Sequence, residues 1–287
     1  ANFRVVYATG ARPPSGVRSG WDLEAALDLD ISHGLAPRAK LYLVEAASNS
    51  LPDMFQAVTR AAGLVAADGG GEVSMSWGSS EFAAENRYDS AMATARIVYF
   101  AAAGDGPGTL YPCTSPYAVC VGGTANSRNA VTGVFQGSLA WEDTGGGTSS
   151  YEARPSYQNG IAGIVGARRG VPDIAAIADP RTGVWVYNAG WAGSCVANSG
   201  WCIVGGTSAA APATAAIVNS AGGFLSSSAA ELGLIYSTLG AAGSGWSDVT
   251  SGACGFYNGF AAIRGWDQCT GIGVPQGGTS FKVVVMP

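Results

Sequence analysis

The sequence predicts an α/β fold with a mostly parallel central sheet and helices on both faces. Three observations predict it. Short apolar runs alternate with longer helical stretches along the chain. The run Ile97–Ala102 is apolar at every position, as a strand buried on both faces must be. And 287 residues, 47% of them hydrophobic, suffice to bury a large core as one domain over residues 1–287.

Taken in order, strands are expected over residues 4–7, 40–45, 72–76, 97–102, 118–121 and 184–187, each a short run rich in Val, Ile, Tyr or Leu. Helices are expected over 23–31, 54–67, 82–95, 208–220 and 229–239. The Ala- and Val-rich stretch 54–67 reads as core packing. Glycine-, serine- and asparagine-rich segments at 104–116, 144–150 and 188–206 read as loops, and long loops are often where substrates are met. There is no internal repeat and no linker.

The candidate chemistry begins at Gly206-Thr207-Ser208-Ala209-Ala210-Ala211-Pro212, which sets a serine at the mouth of a small-residue helix. Free N–H groups and the positive dipole end there favour negative charge developing on an attacked carbonyl oxygen. By itself such a motif also opens ordinary helices through N-capping, so the residue that would take the serine's proton matters more. The single histidine, His33, stands four positions before Pro37, where a loop or helix-end position is expected. The preceding helical stretch instead carries Glu24 and Asp28, four apart and hence on one face, about 6 Å from each other. Asp22 and Asp30 face elsewhere. Two neighbouring carboxyls tend to share a proton, which supplies a base that works in acid, where an imidazole is already protonated. Asp105, in Gly104-Asp105-Gly106, follows the buried strand 97–102 and so lies at a strand's carboxyl end, the edge at which open α/β sheets bind ligands. A protonated carboxyl there can donate to an oxyanion.

In their order and spacing these segments resemble the sedolisins, the serine-carboxyl peptidases that share the subtilisin fold. Glu24 and Asp28 match the family's Glu-x-x-x-Asp on the catalytic helix, and Ser208 matches its Gly-Thr-Ser-x-x-x-Pro nucleophile. Asp105 in Ala-Ala-Gly-Asp matches the acid that replaces the oxyanion-hole asparagine of subtilisins. Ser76, Trp77 and Gly78, within residues 73–78, match the strand that pairs with substrate backbone, and residues 117–124 and 169–174 match framework segments. The resemblance implies a subtilisin-like fold and a secreted, monomeric endopeptidase that forms an acyl-enzyme on Ser208. Glu24, tuned by Asp28, would be the base, and Asp105 with the Ser208 N–H would hold the oxyanion, at an optimum of roughly pH 3–5. It implies a calcium site in the region of about 246–270, with Asp248 and Asp267 supplying carboxylates and Val249, Ile263 and Gly265 supplying carbonyls. Ile263 stands where the family more often has glycine. The resemblance further implies a prodomain removed on maturation. It also implies a stretch ahead of the catalytic helix carrying a core strand and another acid. Because Glu24 comes early, either a shortened variant or a cleaved upstream segment that stays bound is expected.

Two other readings predict different behaviour. A subtilase using His33 would work at neutral or alkaline pH, and a non-catalytic subtilisin-fold binding protein, or a lectin-like calcium module, would not cleave peptides. Composition accords with a secreted acid enzyme: charged residues are 12% of the chain and the formal net charge is −5, so few groups become mutually repulsive in acid. No basic patch for nucleic acid is present, and the 43 glycines interrupt any apolar run long enough to cross a membrane. No signal peptide opens the chain, so a secreted protein would be seen here in mature form. The six cysteines allow more than one connectivity. Their spacing favours the local pairs 113–120, 195–202 and 254–269, which in turn favour an oxidising compartment.

Overall fold

The computed structural model describes residues 2–12, 20–196, 199–222, 225–241 and 243–281. Its first strand, β1 (Phe3–Tyr7), leads to helix α1 (Trp21–Leu35), which starts after Gly20 in a left-handed conformation (φ 90°) and buries Leu27 and Ile31, one turn apart. Strand β2 (Leu41–Glu45) pairs parallel with β1. Helix α2 (Leu51–Ala67) is opened by Ser50, whose side chain accepts from the Asp53 N–H, and by Pro52 in its first turn, where the missing N–H costs nothing.

The chain then enters the central sheet through β3 (Gly71–Met75), makes the short β4 (Ser79–Ser80), and returns in β5 (Ile97–Ala102). A second short strand, β6 (Leu110–Tyr111), precedes the long β7 (Val119–Arg128), the antiparallel β8 (Phe135–Ala140) and β9 (Gly147–Ala153). One helical turn, α3 (Ala162–Val165), separates these from β10 (Arg168–Val171), β11 (Ile174–Ile177), β12 (Val184–Tyr187) and β13 (Trp201–Val204). Helices α4 (Thr207–Ala221) and α5 (Ser228–Ser237) follow.

The main sheet runs β11-β7-β5-β3, all parallel, with β8 added antiparallel to β7. Every residue of β5 is buried, as its uniform apolarity requires. Alternate side chains serve two cores: Val98, Phe100 and Ala102 pack with α4 and α5, and Ile97, Tyr99 and Ala101 pack with α2. The mostly parallel sheet with helices on both faces is therefore the observed architecture.

Two local expectations are corrected. Residues 82–95 do not form an α-helix; Glu85–Met92 is a 3-10 stretch entered through Ala84 at positive φ (64°). Its Glu85 and Asp89 are buried and bonded to neighbouring segments, so inward-facing acids replace the apolar stripe an α-helix would bury. The loops expected at 144–150 and 188–206 contain most of β9 and all of β13, and residues 197 and 198 lie outside the described residues. Polar, glycine-rich strands such as Gly147–Ala153 lack the composition by which strands are recognised.

All three expected disulfides are formed: Cys113–Cys120, Cys195–Cys202 and Cys254–Cys269. A fully buried ion pair holds the framework behind the sheet, Arg169 meeting Asp173 at 2.6 Å. Asp173 also accepts from the Cys120 N–H and the Tyr236 hydroxyl, which ties β7, β10 and α5 together. Removing one partner of such a pair strands a buried charge, so Asp173→Ala is expected to cost about 3–5 kcal/mol. Urea unfolding measures this, and a loss below about 1 kcal/mol would show the pair to be dispensable.

Candidate active site

The nucleophile candidate sits where β13 turns into α4. Gly206 makes the turn at φ 101°, and a Cβ there would stand 2.5 Å from Asp105 Oδ2, so only glycine fits. The carboxylate of Asp105, beyond the end of β5, accepts through Oδ1 from both the Thr207 N–H (2.7 Å) and the Thr207 hydroxyl (2.9 Å). The Gly104 N–H also bonds the Thr207 hydroxyl at 2.9 Å. The strand end and the helix start are thus stitched together by one threonine.

Ser208, half-buried in the first turn of α4, stands beside the carboxyl of Glu24 on α1, whose Oε1 is buried without a partner. Burial raises the Glu24 pKa above that of an ordinary glutamate; the Ser208 side chain opposes the rise and the charge of Asp105 adds to it. Burial likewise raises Asp28 well above its ordinary value, opposed by its bond with Ser76 and reinforced by the charge of Glu24. The two carboxyls feel each other, as their i, i+4 spacing requires.

Ser76 closes the ring. Its hydroxyl donates to Asp28 Oδ1 at 2.6 Å and lies 3.2 Å from the carbonyl oxygen of Ser208. That carbonyl lacks its usual helical partner because the residue four positions on is Pro212, which has no N–H. The proline inside α4 therefore leaves an acceptor open toward the site. Around these groups lies a cleft of about 150 Å³, lined by Ser76, Trp77, Gly78, Asp105, Leu110 and Ser208 among others. Every side chain singled out for the chemistry converges here except His33, which is exposed on the last turn of α1 and does not line the cleft. Asp22 and Asp30 do face away: they bond the Trp191 indole and the Tyr187 N–H, docking the β12 segment on α1. Sequence reasoning missed Thr207 as the link to Asp105, and Leu110 as a wall of the cleft. The threonine between Gly206 and Ser208 was the available signal for the first; nothing local signals the second.

The residues expected to hold calcium also meet. Asp248 accepts from the Gly265 N–H at 2.9 Å, and Asp267 from the Ile263 N–H at 3.2 Å, so both carboxyls are drawn onto the same short segment. The left-handed turn falls on Gly265 (φ 86°) and not on Ile263, which removes the objection to a branched residue there. Among the described residues no three His, Cys, Asp or Glu side chains cluster as metal ligands, so a cation held here would need backbone carbonyls beside the two carboxylates. An all-oxygen set of that kind would suit a hard cation, while the buried Asp267 carboxyl already accepts from the Ile263, Cys269 and Thr270 N–H groups and the Thr270 hydroxyl.

Comparison with known proteins agrees with this geometry. The sequence pattern of the subtilase family matches residues 18–221. Kumamolisin from Bacillus sp. (strain MN-32) is 33% identical over 92% of this chain and 51% of its own length, and sedolisin from Pseudomonas sp. (strain 101) is 33% identical over 57% of this chain and 28% of its own. The chain thus spans about half the length of the first of these relatives and less of the second. The solved structure of Pseudomonas sedolisin, a serine-carboxyl proteinase complexed with two molecules of pseudo-iodotyrostatin, superposes with a TM-score of 0.76 at 24% identity, covering 96% of this chain and 82% of that one. Sphericase shares the fold at a TM-score of 0.55, with 84% of this chain and 69% of that chain covered at 21% identity. The chain belongs to the subtilase family and, within it, to the sedolisins.

Proposed function

We propose that the protein is a secreted, acid-acting serine-carboxyl endopeptidase. The observation that carries the reading is the placing of Ser208, at the start of α4 and on the cleft wall, beside the Glu24 carboxyl, with Asp28 near Glu24 and bonded by Ser76. Ser208 Oγ attacks the peptide carbonyl while Glu24 takes its proton. Asp28, protonated, keeps the pair at a single negative charge. The oxyanion is met by the Ser208 N–H and by Asp105, whose Oδ1 is already held by Thr207, leaving Oδ2 for the oxyanion. Glu24 then returns its proton to the leaving amine, and water releases the acyl group by the same exchange. The peptide backbone would lie along Ser76, Trp77 and Gly78.

The first test is cleavage of a protein substrate across pH 2–9. No cleavage at any pH would favour the binding-protein reading, and a neutral optimum lost in His33→Ala would favour the histidine-dependent one.

In this reading the whole of residues 1–287 serves one catalytic domain, matured from a prodomain and working as a monomer, and a cleaved upstream segment is a further partner. Asp248 and Asp267, with the carbonyls of Val249, Ile263 and Gly265, hold a calcium ion whose charge ties the region of about 246–270 together. Chelation is expected to lower the midpoint of thermal unfolding, because a ligand at about 100 times its Kd stabilises by about 2.7 kcal/mol. Scanning calorimetry with EDTA, then with added calcium, measures this. A midpoint unchanged by both, or the same chelator response in Asp248→Ala, would remove calcium from the account.

A further inference from the structure

A second group of carboxyls lies outside the catalytic ring, at the far end of the cleft strand. Glu81 follows β4, and β4 pairs with β6, setting Ser79 opposite Tyr111 and Ser80 opposite Leu110. Leu110 lines the cleft and packs against Gly78. The Glu81 carboxylate accepts from the hydroxyls of Thr109 and Ser149 and from the Ser150 N–H, so it joins the cleft strand to the β6 segment and to β9. Glu85, fully buried, lies against the Glu81 carboxyl while accepting from the Phe82 N–H and the Thr114 hydroxyl. Two carboxyls in contact require a proton between them, and Glu81, with its three donors, is the one held as the acceptor.

Two further acids face this pair. Asp89 accepts from the Tyr111 and Ser115 hydroxyls, at 2.8 and 2.6 Å. Glu152, on β9, is 6% exposed and feels the charges of Asp89, Glu85 and Glu81, yet its Oε1 has no partner. The cation that acts on Glu152 is Arg169, already bonded to Asp173; Arg87 lies over the Phe82 and Tyr88 rings. The group is therefore rich in buried acceptors and short of donors, a shortage that protons on Glu85 and Glu152 relieve.

We propose that Glu85 and Glu152 are positioning residues for the peptide cleft: protonated, they clamp the cleft strand, the β6 segment and β9 together, and peptide binding weakens when those protons are lost. Burial, the main cause for both, pushes each up to about 7, with the neighbouring acids adding to the rise. The folded state thus holds protons that the unfolded chain gives up near pH 4.5, so the clamp's contribution is full below that and declines up to and through pH 7.

The inference rests on the peptidase reading, and its test separates the two. Binding of a fluorescein-labelled oxidised insulin B chain is measured at pH 5 and pH 8 in Ser208→Ala and in Ser208→Ala with Glu85→Gln, together with thermal midpoints. At pH 8 about one-tenth of the molecules keep each proton of pKa about 7 and about one-hundredth keep both, so the Kd of Ser208→Ala should rise about 100-fold from pH 5 to pH 8. With Glu85→Gln, whose amide donates at both pH values, only the Glu152 proton remains to be lost and the rise should shrink to about 10-fold. Midpoints of the two proteins should agree at pH 5 and diverge at pH 8 in favour of the glutamine variant. Glu72 and Glu231, also pushed to about 7 by burial, titrate in this window beneath α4, which is why the difference between the two proteins is read. Equal weakening of binding in both, or a midpoint lowered equally at both pH values, would overturn the proposal. If neither protein binds the peptide at any pH, the peptidase reading fails and the midpoints alone decide the clamp. Should Glu85→Gln not fold, Glu152→Gln is measured in its place with the same expectations.

Discussion

Ser208→Ala is expected to abolish turnover while leaving the fold intact. The hydroxyl lines the cleft at a helix N-terminus beside the candidate base Glu24, whereas the neighbouring Thr207 hydroxyl is turned to Asp105, so that neighbour should not replace it. Loss of the serine from a nucleophile–base system typically removes about 10⁶ in kcat, because the remaining members act only through it. Stability should change little: Ser208 is half-buried, and its backbone carbonyl keeps the contact with Ser76. Single-turnover cleavage, a labelled fluorophosphonate and circular dichroism read the three quantities. Residual turnover within 10-fold of the parent, with label still incorporated, would remove Ser208 as nucleophile.

The second large effect is expected at Glu24. If Glu24 is the base, Glu24→Gln removes the acceptor of the Ser208 proton, and kcat/KM should fall by about 10²–10⁴, the usual contribution of a general base. The pH profile is the sharper readout. The acid limb reports ionisation of Glu24, which burial sets above the ordinary glutamate range, so activity rises as pH rises through that value. The alkaline limb reports loss of the proton that the pair holds on Asp28, whose carboxyl is raised further by its deeper burial. Both limbs are therefore expected to belong to the pair, with the optimum between them. Glu24→Gln should lose the acid limb from whatever activity survives, and His33→Ala, altering an exposed side chain outside the cleft, should leave the profile unchanged. A profile that follows His33 would transfer the base to the imidazole.

Much of this site was legible in the sequence because its chemistry is local. Glu24 and Asp28 share a helix face by spacing alone, Ser208 opens a helix behind an obligatory glycine, and Asp105 ends the apolar run of β5. The strands of the parallel core were legible for the same reason: burial on both faces demands apolar side chains throughout. The strands Phe135–Ala140 and Gly147–Ala153 were not, because antiparallel segments at the edge of the core satisfy their backbones with polar residues that composition reads as loop. The stretch Glu85–Met92 was misread as an α-helix because what holds it is distant in sequence, the hydroxyls of Tyr111, Thr114 and Ser115.

What the sequence by itself determined is the set of candidate reacting groups, since each is placed by helix period, strand end or turn within a few residues of chain. Only the tertiary structure decided how they are tuned. Ser76 reaches Asp28 across 48 positions, Thr207 holds Asp105 across 102, and the Glu81–Glu85 pair is locked by Ser149 from 68 positions away. A carboxyl's charge depends on the burial and donors that packing brings to it, and those come from parts of the chain that no local pattern connects.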